Sequence, residues 1–162
     1  MRPQALSCVY AAMFDSPRSL AVIGLGTFGA ALACRARSNG ARVVGIDIAP
    51  EKADRYQGDL DSTICADARE KRALRECALD DQDAVVIAVG SDVEASLLAA
   101  HHARALGAKQ LFVKAQSDTQ EDILRSIGVD AVLRPEIDAG RQLADHLTDA
   151  DAPSRIERLV AE

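Results

Sequence analysis

Leu20-Ala21-Val22-Ile23-Gly24-Leu25-Gly26-Thr27-Phe28-Gly29 is an apolar run delivered straight into three glycines. A small-residue segment, Ala30-Ala31-Leu32-Ala33-Cys34-Arg35-Ala36, follows, and then a second run, Arg42-Val43-Val44-Gly45-Ile46, that ends on Asp47. The order reads strand, glycine turn, helix, strand, acidic stop. In a G-x-G-x-x-G turn the first glycine, Gly24, permits the tight exit from the strand, and Gly26 lets the backbone approach phosphate oxygens. Gly29 lets the helix lie close on the sheet. The helix opening at Thr27 and Phe28 aims its free N–H groups and the positive end of its dipole at the same place. Asp47, roughly 20 residues further on, is placed to accept from ribose hydroxyls. Glycines also cluster for packing alone, but here a strand precedes them, a helix follows and the acid arrives at the right distance, so the unit reads as nucleotide-binding.

The remaining chain repeats the alternation. Pro50 opens a short helix through Tyr56, Ser62 to Asp67 reads as a third strand, and Arg69 to Cys77 as a helix. Ala84-Val85-Val86-Ile87-Ala88-Val89 has the continuous apolar character of a strand buried on both faces. Gly90-Ser91-Asp92 supplies a turn and cap for a helix from Val93 to Leu106, stopped by Gly107. Gln110 to Lys114 is a fifth strand, Asp118 to Ile127 a helix stopped by Gly128, and Asp130 to Arg134 a sixth strand before Pro135. This spacing predicts an α/β, Rossmann-like, doubly wound parallel sheet of about six strands. Its ligand crevice lies outside the carboxyl ends of the strands, where the strand order reverses. Gly24 to Gly29, Asp47, Asp67, Val89, Gly90 and Lys114 are thereby expected around one crevice.

At 162 residues the chain suffices for one domain with a proper core but not for a cofactor domain plus a substrate domain, which weighs against a complete dehydrogenase. A net charge of −6, with no Lys/Arg cluster, gives no electrostatic basis for binding nucleic acid or an anionic membrane surface. Cys8, Cys34, Cys65 and Cys77 lack C-x-x-C spacing, so neither a metal cluster nor a disulfide framework is expected, as suits a reducing cytosol. The longest apolar run falls far short of the ~20 residues that span a bilayer. Residues 1–18 read as a flexible extension without the pattern of a signal peptide, with Met13 an alternative start. Residues 19–148 read as the domain, and 149–162 as a linker and a short helix opened by a capping box at Ser154.

After Pro135, the positions Ile137, Gly140, Leu143, Ala144 and Leu147 form one helical stripe. Two uses are open to it: packing on a second subunit, or covering the edge of its own sheet. Catalytic groups are scarce. The Tyr-x-x-x-Lys pair of short-chain dehydrogenases is absent, since Leu60 stands four residues after Tyr56, and no Ser/His/Asp set is suggested. His101, His102 and His146 have no ligand spacing and read as solvated or packing residues.

Ala21 to Gly29, Asp47, Val113-Lys114-Ala115-Gln116, Ile127-Gly128-Val129-Asp130 and Pro135-Glu136, in that order, resemble the KTN domain. This domain, also called the RCK nucleotide-binding domain, belongs to the cytoplasmic subunits that regulate bacterial potassium uptake of the Ktr and Trk type. The resemblance runs from about Leu20 to Thr148. It implies a non-enzymatic regulatory subunit that forms a homodimer, builds an octameric ring from dimers, and gates a membrane potassium-translocating subunit. It would be cytoplasmic, peripheral to the inner membrane through that partner.

Carried over by residue, Asp67 would meet the adenine edge and Lys114 the terminal phosphate, and Glu136 would lie near a divalent cation at the dimer interface. Each has a plainer alternative: helix cap, exposed strand-end lysine and first-turn glutamate, respectively. Thr27 stands where Ktr-type members commonly have an arginine, and the family's second ligand-binding domain has no counterpart after about Ala152. A truncated form and a minimal regulator both fit that. The expected ligand is ATP or ADP, with NAD(H) the alternative. The competing functions are a detached NAD-binding domain of an oxidoreductase and a soluble NAD(H) or nucleotide sensor.

Overall fold

The computed structural model describes residues 17–148. Six aliphatic runs become parallel strands: β1 (Ser19–Ile23), β2 (Arg42–Asp47), β3 (Ser62–Cys65), β4 (Ala84–Ile87), β5 (Leu111–Lys114) and β6 (Ala131–Leu133). They lie in the order β3-β2-β1-β4-β5-β6. Helices α1 (Thr27–Ser38), α2 (Pro50–Arg55), α3 (Lys71–Glu76), α4 (Val93–Ala105) and α5 (Asp118–Ile127) connect them, and α6 (Pro135–Thr148) follows β6. Chain order reverses between β1 and β4, which are direct neighbours, with Ile23 opposite Ile87.

The two central strands are buried along their whole length, which is why they carry no polar alternation. On one face Ala21, Ile23, Val85 and Ile87 pack with Leu74, Leu79, Ala99, Ala103 and Leu124 from the α3, α4 and α5 side. On the other, Leu20, Val22, Val43 and Val86 meet Leu25, Ala33 and Leu60. Alanines at the contact points of α1 and α4 let these helices approach the sheet closely. Gly40, Gly107 and Gly128 end α1, α4 and α5 with left-handed backbones, as the sequence predicts.

The amino ends of the strands are pinned by three aspartates, each placed immediately before a strand and each accepting from the neighbouring one. Asp61, before β3, takes the Val43 N–H at 2.8 Å. Asp83, before β4, takes the N–H groups of Arg18 and Ser19 at 2.9 and 3.1 Å, and the Ser19 hydroxyl accepts the Asp83 N–H in return at 3.0 Å. Asp130, before β6, takes the Leu111 N–H at 2.7 Å and the Arg104 guanidinium at 2.6 Å.

Two expectations are corrected, and one of two open alternatives is set aside. The third and fourth strands stop at Cys65 and Ile87, so that Asp67 and Val89 belong to the loops that follow. The third helix begins at Lys71 rather than Arg69, because residues 67–69 form a turn closed by the Asp67 carboxylate on the Arg69 N–H at 2.9 Å. The stripe on α6 does not cover the edge of its own sheet. The helix has no buried residue, and Leu143 and Leu147 are 54% and 63% exposed. The extension up to Ser16, Cys8, the linker and the last short helix lie outside the described residues.

Candidate functional site

A cleft of about 810 Å³ opens at the carboxyl ends of β1, β2, β4 and β5, across the point where strand order reverses. Gly24, Gly26, Thr27, Phe28, Asp47, Asp67, Val89, Gly90, Lys114 and Glu136 all line it. Gly24, Gly26, Thr27 and Phe28 carry the glycine turn along one side of it, while Leu25 is buried in the core. Gly24 has φ +96° and donates its N–H to the Ile46 carbonyl at 2.7 Å, a left-handed turn that a side chain would strain. A Cβ on Gly26 would meet nothing within 4 Å, so the backbone is open to a ligand. Gly26 caps α1 without any side-chain acceptor, leaving the first turn's donors for an anion.

Gly29 serves close packing of the helix, as the sequence predicts, and does not line the cleft. A Cβ there would stand 1.9 Å from the Gly24 carbonyl oxygen and 2.9 Å from the Ala88 Cβ. The close approach it permits is of the helix to its own glycine turn, with the segment after β4 as the second neighbour.

Asp47 is only 6% exposed. One oxygen accepts the Leu25 N–H at 2.7 Å and the other the Ala49 N–H at 2.9 Å, while the Lys52 ammonium stands 3.7 Å away. Asp67 is engaged by Arg69, whose Nε and Nη2 reach both carboxylate oxygens between 2.8 and 3.1 Å. That guanidinium, foremost, holds the Asp67 carboxyl below its usual range. Asp67 therefore does not cap α3, which is preceded by Glu70.

Lys114 is 8% exposed, not an exposed strand-end lysine. Its ammonium bonds Glu136 on the first turn of α6 and sits 5.8 Å from the centre of the Phe28 ring. The bond to Lys114 is the main cause that keeps the Glu136 carboxyl below its usual range. No three His, Cys, Asp or Glu side chains gather as a metal site among the described residues. A cation at Glu136 would need donors from a bound phosphate or another chain.

Sequence reading missed Ile48, Lys52 and Arg69, all of which line the cleft. The Asp67-Ala68-Arg69 spacing is the signal that was available for Arg69, because an acid two residues before an arginine can close a turn on it. Asp92 caps α4 by accepting the Ala95 N–H at 2.9 Å, as expected. His102 Nε2 lies 3.1 Å from the Arg69 carbonyl, and His146 Nδ1 lies 2.6 Å from that of Gln142. Cys34, Cys65 and Cys77 are free thiols. No helix among the described residues is long and apolar enough to cross a membrane.

Chemically, the arrangement offers main-chain donors, the buried carboxylate of Asp47 and the three cations Lys52, Arg69 and Lys114. This is the equipment of a binding site for a phosphorylated, hydroxyl-bearing ligand.

The chain is 36% identical over 137 residues to Ktr system potassium uptake protein A of Vibrio alginolyticus, a match covering 85% of this chain. It spans 62% of that relative's length. Among solved structures, the TrkA-N domain of inner membrane protein ybaL from Escherichia coli superimposes with a TM-score of 0.73 at 15% identity, covering 83% of this chain and 99% of the other. GsuK bound to ADP superimposes with a TM-score of 0.68 at 12% identity, covering 83% and 36%, and GsuK bound to NAD shares the fold as well. The family model described as the TrkA-N domain matches residues 20–135. The glycine turn, the strand order and this match agree: the chain belongs to the TrkA-N domain family.

Proposed function

We propose that residues 19–148 form the nucleotide-binding domain of a cytoplasmic subunit that regulates a bacterial potassium transporter or channel of the Ktr or Trk type, binding ATP or ADP without turning it over. The observation that carries this reading is the open glycine turn at the β1–β4 reversal, with a helix start that no side chain caps and Asp47 at the end of the adjacent strand. The phosphates lie over Gly26 and Thr27, and the ribose hydroxyls bond Asp47. Each of that acid's oxygens has accepted one main-chain hydrogen bond and retains capacity for another. Lys114 takes the terminal phosphate after exchanging Glu136 for it, and Glu136 holds a divalent cation once a phosphate and a second subunit supply the remaining donors.

The subunit pairs through the exposed stripe of α6, its dimers build an octameric ring, and the ring sits on a potassium-translocating membrane partner at the inner membrane. The potassium-uptake relative and the ADP-bound neighbour support this reading.

The test is calorimetry with ATP, ADP, NAD and NADH. Binding of ATP or ADP at micromolar concentration without hydrolysis supports the proposal, and the absence of binding by all four removes the site. A second reading, NAD(H) as the resident ligand of a sensor or of a detached oxidoreductase domain, is favoured by one feature. Glu136 neutralises Lys114 beside Phe28, an environment that suits an uncharged ring. NADH displacing ATP at much lower concentration would select it.

A further inference from the structure

Two of the carboxylates that line the cleft, Asp47 and Asp67, are engaged differently. Asp47 has accepted one hydrogen bond on each oxygen, whereas Asp67 gives most of its capacity to one residue. Its Oδ1 takes the Arg69 N–H at 2.9 Å and Nε at 3.0 Å, and its Oδ2 takes Nε at 3.1 Å and Nη2 at 2.8 Å. Three N–H groups of Arg69 fill those contacts, the single Nε–H being shared by both oxygens, so most of the roughly four acceptor sites of the Asp67 carboxylate are taken by its own neighbour.

What this pair offers the cleft is a guanidinium held along one edge, with its plane fixed. The main chain of Arg69 is fixed as well, through its carbonyl and His102 of α4, 3.1 Å apart. The guanidinium charge is already compensated by the Asp67 carboxylate at 2.8 Å, which makes it a weaker lure for phosphate. A planar, charge-compensated cation suits an aromatic face. Ile48, 55% exposed at the end of β2, adds apolar surface to the same cleft.

We propose that Arg69 holds the base of the nucleotide by stacking its guanidinium on the ring, with Ile48 supplying apolar contact and Asp67 acting as a positioning residue. This rests on the nucleotide reading above. Stacking senses ring area and tolerates differences in exocyclic groups. The base end of the cleft therefore prefers purines to pyrimidines and discriminates little between adenine and guanine.

The test is calorimetry on the full chain with ADP, GDP and CDP, together with displacement of ADP by inorganic pyrophosphate, which has no base. Expected are ADP and GDP within about threefold of each other and CDP roughly tenfold weaker. Arg69→Ala and Arg69→Lys should each weaken ADP roughly tenfold, because a lysine restores charge but not a plane, and leave pyrophosphate unchanged. Asp67→Asn should cost less and narrow the ADP-to-CDP ratio, a readout that general loss of structure would not move selectively. Full affinity for ADP in Arg69→Lys, or an equal loss of pyrophosphate, would overturn the proposal, the latter by placing Arg69 on the phosphates. Rejection of GDP by a hundredfold would overturn it too, since the edge of the base would then be read. If the parent binds none of these nucleotides, the reading of the cleft itself fails and takes this proposal with it. Thermal melts show whether each variant is folded, and Arg69→Gln serves where Arg69→Ala is not.

Discussion

The Asp47 carboxylate accepts the main-chain N–H of Leu25 at 2.7 Å, so the acid expected to hold a ribose also holds the middle of the glycine turn. Substituting it leaves a buried N–H without its acceptor in addition to removing a ligand contact. Asp47→Ala should lower stability by about 1–3 kcal/mol and weaken ADP binding by a similar amount. Urea unfolding and calorimetry measure the two separately. Unchanged unfolding would contradict the tie to the turn, and unchanged affinity would remove Asp47 from the site.

Gly26 and Gly29 separate binding from folding. Gly29→Ala drives a Cβ into the Gly24 carbonyl and should cost about 3 kcal/mol or more, or prevent folding, since backbone and side chain both have to move. Gly26→Ala meets no protein atom and should melt like the parent while losing nucleotide affinity, because the added methyl occupies the path proposed for the phosphates. Parent-like ADP affinity in folded Gly26→Ala would move the phosphates elsewhere.

Lys114→Ala should weaken ATP roughly tenfold and AMP far less, as expected of a charged hydrogen bond to a terminal phosphate. Glu136→Gln frees the ammonium and should tighten ATP severalfold in the absence of divalent cations. Titrations with and without magnesium distinguish a mere competitor for Lys114 from a cation ligand: in the second case the same variant weakens ATP when magnesium is present.

Sedimentation of the purified chain should show at least a dimer, given the bare stripe of α6. Leu143→Glu should dissociate it, because burying an unpaired carboxylate in an interface costs several kcal/mol. A variant that sediments like the parent would move the interface off this helix.

Asp67, Asp83 and Glu136 are all held below the ordinary carboxylate range, Asp83 mainly by the N–H of Arg18. Carboxylates depressed in the folded state contribute stability that is present above their unfolded values, about pH 4, and lost as the pH falls through the lower folded ones. Melting temperatures should be level from about pH 7 to 5 and fall below about pH 4. Asp83→Asn should melt lower at neutral pH, with a shallower acid decline. An acid limb as steep as the parent's would show that Asp83 carries none of it.

Much of this was legible in the sequence because strands buried on both faces write themselves as runs such as Ala84 to Ile87, and because glycines at turns have few substitutes. Strand ends were read too long at Asp67 and Val89 for a physical reason. Pairing continues one hydrogen bond past each strand, from the Ala66 N–H to the Asp47 carbonyl and from the Ala88 N–H to the Ile23 carbonyl, so the apolar character persists into the loop. The site's hidden part was choice of partner. Asp67 could have faced a base, capped a helix or held Arg69, and composition cannot rank these. Lys114 was expected at the crevice, but its pairing with Glu136 depends on the register of β5 against β6 and on the start of α6. The aspartates before β3, β4 and β6 left a visible mark, an acid preceding a strand three times, whose meaning depended on which strands become neighbours.

Those aspartates give the sheet two poles with separate duties. Asp61, Asp83 and Asp130 lock the amino ends, while the carboxyl ends of β1, β2, β4 and β5 open onto the cleft. The two ends lie the length of the strands apart, so a change at one of these three aspartates is remote from the cleft. Thermal resistance can therefore be gained or shed at Asp61, Asp83 and Asp130 without touching the cleft, whereas a change at Asp47 alters the glycine turn and the cleft together.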